Sequence, residues 1–372
     1  MKMSVPRLLA IALLICAESL AISHSVSAQK DNRELEIAAR FAPVFYQALG
    51  DKPRNDYITN FDFDGDWRGD NNWNNAGNTD FPLKAYIYYS VSETSTHYFI
   101  HYGVFHPRDY KGGEKKGAIL SELIREGAKA SGQYDPTGLA DEAALAHEND
   151  MEGALIVVKK NGSTLNGARV VFVEALHHNT FGHYETGEGS SIVKLEDQRP
   201  ILYIEPRGHG IEAFTGDKKQ VANKDFLRYV FDGRAVDPTK EDTVCRDLET
   251  TSCDKSVGYD LVSLSTLWAK AKGETNSMFG VTFDYGEIKL STSLNGNGST
   301  EKTIKLGKVG CAFLGSVGGV NMARPPWGWF DREERDVPLG QWFFDPATTV
   351  KRDFKLDASF STSYVRLPFW AK

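Results

Sequence analysis

Apolar and polar positions alternate most clearly in the middle of the chain. Lys84–Ser90 and His97–Phe105, rich in Tyr, Phe and Ile, read as two strong strands. Glu152–Lys160 and Ala168–Ala175 read as a hairpin with Asn161-Gly162 and Asn166-Gly167 as turn signals, and Pro200–Pro206 as a further strand. Helical spacing is confined to shorter stretches. Asp31–Tyr46 is capped by Asp31 and apolar at Leu35, Ala38, Ala39 and Phe41. Gly117–Ala130, Lys224–Phe231 and Tyr259–Lys272 also carry helical periodicity, whereas Met278–Tyr285 and Lys302–Phe313 return to a strand pattern. Asn55–Asp80 is loop, dense in Asp, Asn and Gly. Helices fall between strand clusters without regular alternation, which disfavours a doubly wound parallel sheet. The expected architecture is mainly β: a two-sheet β-sandwich with helical insertions and a C-terminal α+β extension.

The first 28 residues follow a different pattern. A short basic start (Lys2, Arg7) precedes an apolar run, Leu8 to Ile22, broken by Glu18 and Ser19, and then Ser25-Val26-Ser27-Ala28. That is a signal-peptide layout with cleavage expected after Ala28, giving a secreted or periplasmic protein. The run is too short and interrupted for a comfortable membrane span, and no second apolar run reaches spanning length. Residues 29–372 are read as one large decorated domain, with any sub-boundary near residues 214–240. The formal charge of the whole chain is -7, and no basic stripe appears, which argues against a nucleic-acid partner. Beyond the leader three cysteines remain. Cys245 and Cys253 can close a small polar loop, leaving Cys311 as a buried thiol; a pairing that involves Cys311 is the alternative.

The histidines change the picture most. Beyond residue 28 they are His97, His101, His106, His147, His177, His178, His183 and His209, and none follows His209. The sharpest element is His147-Glu148-Asn149-Asp150-Met151-Glu152-Gly153, directly before the apolar run Ala154–Val158. Strand alternation sends Asp150 and Glu152 to one face, and His147, at the loop end, can swing over it. One imidazole and two carboxylates converging on a point make a divalent-cation site, and oxygen-rich ligation suits Mg²⁺, Ca²⁺ or Mn²⁺ better than a closed zinc site. The alternative is a polar strand edge with its charges in water.

His147-x-x-Asp150-x-Glu152 resembles the His-x-x-Asp-x-Glu core of the heptapeptide that marks the necrosis- and ethylene-inducing-peptide-like proteins. Pro107-Arg108-Asp109 is similar to that family's upstream Pro-Lys-Asp stretch. Pro200-Ile201-Leu202-Tyr203-Ile204, leading to Gly208-His209-Gly210, looks like the strand and Ser-His-Gly turn shared with the related vacuolar-protein-sorting-associated family. The match covers roughly residues 86–214. It implies a two-sheet β-sandwich with a cation at one end, held by His147, Asp150, Glu152 and Asp109. Met151 stands where the heptapeptide has Trp, Ala146 and Asn149 replace the flanking Gly and second His, and the gap from Asp109 to His147 is far longer than in the family.

Two other motifs have bland and sharp readings. Asp62-Phe63-Asp64-Gly65-Asp66 lacks the terminal Glu of an EF-hand and reads better as an Asx-rich turn. Pro325-Pro326-Trp327-Gly328-Trp329-Phe330 can stack on a sugar or sit at a membrane interface, or pack against its own domain. Two function classes stay open. One is a cation-dependent module binding a glycan or lipid headgroup at a membrane or cell surface. The other is a metal-dependent hydrolase with His209, His177 or Glu148 as acid or base. The sequence decides neither between them nor the oligomeric state.

Overall fold

The computed structural model describes residues 32–110, 146–162, 164–189, 191–272, 277–293, 298–317, 323–334 and 336–368. The leader and the helix expected over Gly117–Ala130 lie outside them. The first half contributes strands β1 (Val44–Leu49), β2 (Tyr86–Thr94), β3 (His97–Asp109), β4 (His147–Asn161), β5 (Thr164–His177), β6 (Thr180–Glu185), β7 (Leu195–Glu196), β8 (Arg199–Ile204) and β9 (Ile211–Ala213). The second half adds β10 (Asp225–Phe231), β11 (Val244–Arg246), β12 (Val257–Ser263), β13 (Phe279–Asp284), β14 (Glu287–Thr292), β15 (Thr300–Lys305), β16 (Lys308–Phe313) and β17 (Tyr364–Arg366).

The fold is mainly β, but the two expected sheets are replaced by one 15-stranded sheet. Among the described residues its main path runs β6-β5-β4-β3-β2-β12-β10-β1-β8-β7, with β9, β11, β14, β15 and β17 pairing off this path, and a separate pair is formed by β13 and β16. The sheet curls until β9 packs against β4 and β5. The inner core is therefore drawn from both ends of the path: Ile100, Tyr102, Ile156 and Val173 meet Leu202, Ile204, Leu227 and Tyr229, with Ile37 and Phe41 from the first helix. Pro43 ends that helix, which spans residues 32–41, well short of the expected Tyr46. Tyr102 donates its hydroxyl to Ala38 O at 2.6 Å and so ties the helix to β3.

The outer face of the same strands is covered as well. Tyr88, Phe99, Phe105, Met151 and Leu155 pack against Trp268, Phe313, Trp327, Trp329 and Trp342 of the C-terminal half. The tryptophans of Pro325–Phe330 thus belong to their own domain: Trp327 donates to Gly310 O, and Trp329 to Met151 O and Arg324 O. Asp62 to Asp66 forms a tight turn, with Gly65 at φ 91° and its N–H on Asp62 O.

Two helical expectations are corrected. Lys224–Phe231 is strand β10, because β1, β11 and β12 all pair with it and its aromatic and β-branched side chains suit a covered sheet. Tyr259–Lys272 divides into β12 and a helix at Ser265–Ala271. The Cys245–Cys253 disulfide forms, with a Cα–Cα distance of 5.4 Å, and Cys311 is a buried free thiol that burial pushes up to about 11. Among the described residues no helix is long and apolar enough to cross a membrane.

Coverage on both faces has a measurable consequence at His101. Its ring is fully buried against Trp342 and Phe343, and its Nε2 lies 3.1 Å from Trp342 O. Burial lowers its pKa from 6.5 to about 4, so the unfolded chain takes up the proton first. Stability is full above pH 6.5 and is lost as pH falls toward 4, by about 3 kcal/mol from this residue. His101→Leu should flatten the acid limb between pH 6.5 and 4 in urea unfolding; an unchanged slope would place the titration elsewhere.

Candidate functional site

β3 and β4 pair in antiparallel register with Asp109 opposite His147, His106 opposite Asp150 and Val104 opposite Glu152. A uniform strand would put His147 on the face of Met151, away from Asp150 and Glu152. Asn149 breaks the alternation. It adopts φ 58°, a left-handed conformation that Asn tolerates better than most residues. Its amide is fixed on both sides: Oδ1 accepts from Asn72 at 2.7 Å, and Nδ2 donates to Gly69 O at 2.7 Å and Leu314 O at 2.8 Å. Past this kink His147 joins Asp150 and Glu152, and Glu148 turns the other way.

Asp109, His147, Asp150 and Glu152 all line one cavity of about 30 Å³, together with His178, Arg324, Trp329 and Phe330. That volume has room for a cation or a pair of waters. His147 Nε2 lies 3.5 Å from Asp109 Oδ2. Burial opposes the charged imidazole, but Asp109 and Asp150 hold the His147 pKa above its ordinary value. The four residues do not together form a group whose donor atoms all lie within 4.8 Å of one another; within that distance Asp150 groups instead with His106 and His209.

Behind the cavity is a buried relay. His209 donates from Nδ1 to Asp150 Oδ2 at 2.9 Å and from Nε2 to Asp56 Oδ1 at 3.3 Å. Its ring stacks on that of His106, centroids 3.8 Å apart, and His106 in turn bonds Gln47. Burial alone would neutralise His209, yet the two carboxylates push it up to about 10, so it carries the charge. Burial and that charge keep His106 neutral. Arg207 and His209 both have left-handed backbone in the turn after β8, and the Arg207 N–H donates to Asp56 at 2.7 Å. This strained turn aims His209 at Asp150.

His178 stands at the cavity rim. It occupies the β5–β6 turn at φ 60°, with Nδ1 3.6 Å from Glu152 Oε1 and Nε2 2.7 Å from Glu205 Oε1. His177 reaches the same Glu205 from outside at 3.5 Å. Burial opposes ionisation of Glu205, but the two imidazoles hold its pKa well below the usual range. Beyond Glu205 opens a cleft of about 790 Å³, lined by polar and charged groups including Arg207, Glu212 and Lys224.

Of the acid–base candidates, none lines the smaller cavity. Glu148 accepts from Trp73 N, Ser316 N and Ser316 Oγ on the opposite side. His209 spends both nitrogens on carboxylates, and His177 faces the outer cleft. Sequence reasoning passed over His178 and Asp56. His178 was signalled only as the neighbour of His177, and Asp56 only as one acid in an Asp-rich loop.

No protein-family model and no curated protein matches the chain. Distant similarity is found among solved structures. "NLPPya in complex with mannosamine" is 16% identical over 48% of this chain and 66% of that one, with a TM-score of 0.28. "Toxin fold for microbial attack and plant defense" is 10% identical over 62% and 73%, with a TM-score of 0.27. Necrosis and Ethylene inducing Protein 2, from the causal agent of cocoa's Witches Broom disease, is 15% identical over 52% and 57%, with a TM-score of 0.23. Likeness at this level gives no residue-by-residue correspondence.

The Asn149 kink can be tested. Asn149→Ala loses three hydrogen bonds, two of them buried, and strains the left-handed backbone, and should cost about 3–4 kcal/mol in urea unfolding. Asn149→Gly keeps the backbone free and should cost about 1 kcal/mol less. Equal losses would show that the left-handed backbone at this position carries no penalty for a residue with a Cβ.

Proposed function

We propose that the chain is a secreted protein in which Asp109, His147, Asp150 and Glu152 hold one divalent cation, and that the cation and its surroundings bind a sugar or lipid headgroup at a membrane or cell surface. The observation that carries this reading is the meeting of these four side chains, from two strands and across a kink, on one cavity of about 30 Å³. The donor set fits a cation: three carboxylates and one imidazole, all on residues at most 6% exposed. Carboxylates gathered away from water are costly without a counter-charge. One imidazole among oxygens suits Mg²⁺, Ca²⁺ or Mn²⁺.

When bound, such a cation supplies open coordination positions for vicinal hydroxyls or a phosphate oxygen. The protein's own groups do the rest. His209 fixes one oxygen of Asp150, His178 steadies Glu152, and the Glu148 carbonyl, 3.2 Å from His147 Nδ1, orients that ring with Nε2 left to face the cation, so the donor set is held from behind. Arg324, 4.7 Å over the Phe330 ring, brings a positive charge and an aromatic face to the rim. The cleft beyond Glu205 offers hydrogen-bonding groups of both signs to the rest of a polyol. Hydrolysis is the weaker reading, because His209, His177 and Glu148 are each engaged away from the cavity.

Asp150→Ala should lower the metal content of the purified mature protein by one equivalent. Excess chelator should lower the wild-type melting temperature by a few degrees while barely moving this mutant. His209→Ala removes only a supporting partner and should weaken metal binding roughly 10–100-fold, without abolishing it. Glycan or anionic-vesicle binding should disappear with chelator and return with Ca²⁺, Mg²⁺ or Mn²⁺. The proposal fails if Asp150→Ala leaves both metal content and the chelator response as in wild type.

A further inference from the structure

A second cluster lies elsewhere on β5 and β6. Glu174 and His183 are register partners across these strands, so their side chains share a face. Asp353, the last residue of the helix Pro346–Asp353, meets them there. Donor atoms of Glu174, His183 and Asp353 all lie within 4.8 Å of one another, and His183 Nε2 is 3.6 Å from Asp353 Oδ2. Each carboxylate has one oxygen committed to an N–H. Glu174 Oε2 accepts from Trp342 Nε1, and Asp353 Oδ1 accepts from Arg352 Nε at 2.6 Å.

The remaining oxygen of Glu174 is the unexplained atom. Glu174 is 0% exposed, and its Oε1 has no hydrogen-bond partner. What faces it is a second carboxylate, and burial together with the Asp353 charge holds the Glu174 carboxyl well above its ordinary pKa. Arg352 supplies one positive charge but divides it between Asp353 and Glu334. A buried acceptor left without a donor is destabilising, the more so if it is charged. His183, with a side chain 33% exposed, gives the cluster an opening to solvent, and Phe354 packs edge-on against its ring.

We propose that Glu174, His183 and Asp353 hold a second divalent cation, of the Zn²⁺ class, with water completing the coordination. One imidazole nitrogen and two carboxylate oxygens form a three-ligand set that zinc takes with an open fourth position. The three ligands come from β5, β6 and the C-terminal helix, so the ion clamps that helix to the sheet. The site shares no residue with the Asp109–Glu152 cavity and stands whether or not that cavity binds metal.

The test uses the full mature chain and Zn²⁺ or Co²⁺ as probes. In an Asp150→Ala background one equivalent of Zn²⁺ should still bind and raise the melting temperature. Adding His183→Ala, or His183→Gln as the milder change at this half-exposed position, should remove that equivalent and the thermal shift. Co²⁺ should give visible d–d absorption in Asp150→Ala that is absent from the double variant. Wild-type protein that loses one equivalent with His183→Ala but none with Asp150→Ala would support this site and overturn the other. The proposal is overturned if Asp150→Ala takes up no Zn²⁺ or Co²⁺, or if both His183 variants bind as well as their parent; a proton shared between Glu174 and Asp353 then balances the pair.

Discussion

The structure depends on the coverage of β3 and β4 on both faces. Strands covered in this way ordinarily read as continuous apolar runs. Here the runs carry His97, His101, His106, Asp109, His147, Asp150 and Glu152, all below 9% exposure. Each such group must find a partner, change its protonation or hold an ion. His101 takes the second course and stays neutral against Trp342. His209 takes the first, its charge shared by Asp150 and Asp56. The three carboxylates around the small cavity also have imidazole neighbours: Asp150 meets His209, Asp109 meets His147 and Glu152 meets His178.

Much of this was legible in the sequence, and what was missed has physical causes. β2, β3, β4, β5 and β8 follow from runs rich in β-branched and aromatic residues and from the Asn-Gly turn signals. The closing of the sheet on itself does not, because it is set by β9 meeting β4 and β5 across the inner core. Strand β10 looked helical because its apolar residues Phe226, Leu227, Val230 and Phe231 are spaced as neighbours and four apart rather than alternately, so period two is not legible in it. At the site, the motif spacing pointed to His147, Asp150 and Glu152 and the family resemblance added Asp109; all four line the small cavity. The route by which His147 joins the acids was different: a left-handed Asn149 re-phases the strand, where a flexible loop end had been expected. Asp56 and His178 reach the site through long-range packing, which no local pattern encodes.

The β5–β6 hairpin joins the two clusters. Its turn bears His178, in a left-handed conformation that a bulky residue adopts at a cost, and that strain sets the imidazole between Glu152 and Glu205. Three register steps from His177 and Thr180, the same hairpin pairs Glu174 with His183 under the C-terminal helix. A short, exactly paired ribbon is stiff along its hydrogen-bonded register, so the position of the turn depends on how its far strand is anchored. The anchor is the set of contacts made by Glu174 and His183 with Trp342 and Asp353, residues of the same C-terminal half whose Trp329 and Phe330 line the small cavity. The C-terminal half thus does two things for the site: it supplies part of the wall, and it holds the hairpin that carries the rim histidine. A fold built only from the strands of residues 86–214 would have the carboxylates but neither of these.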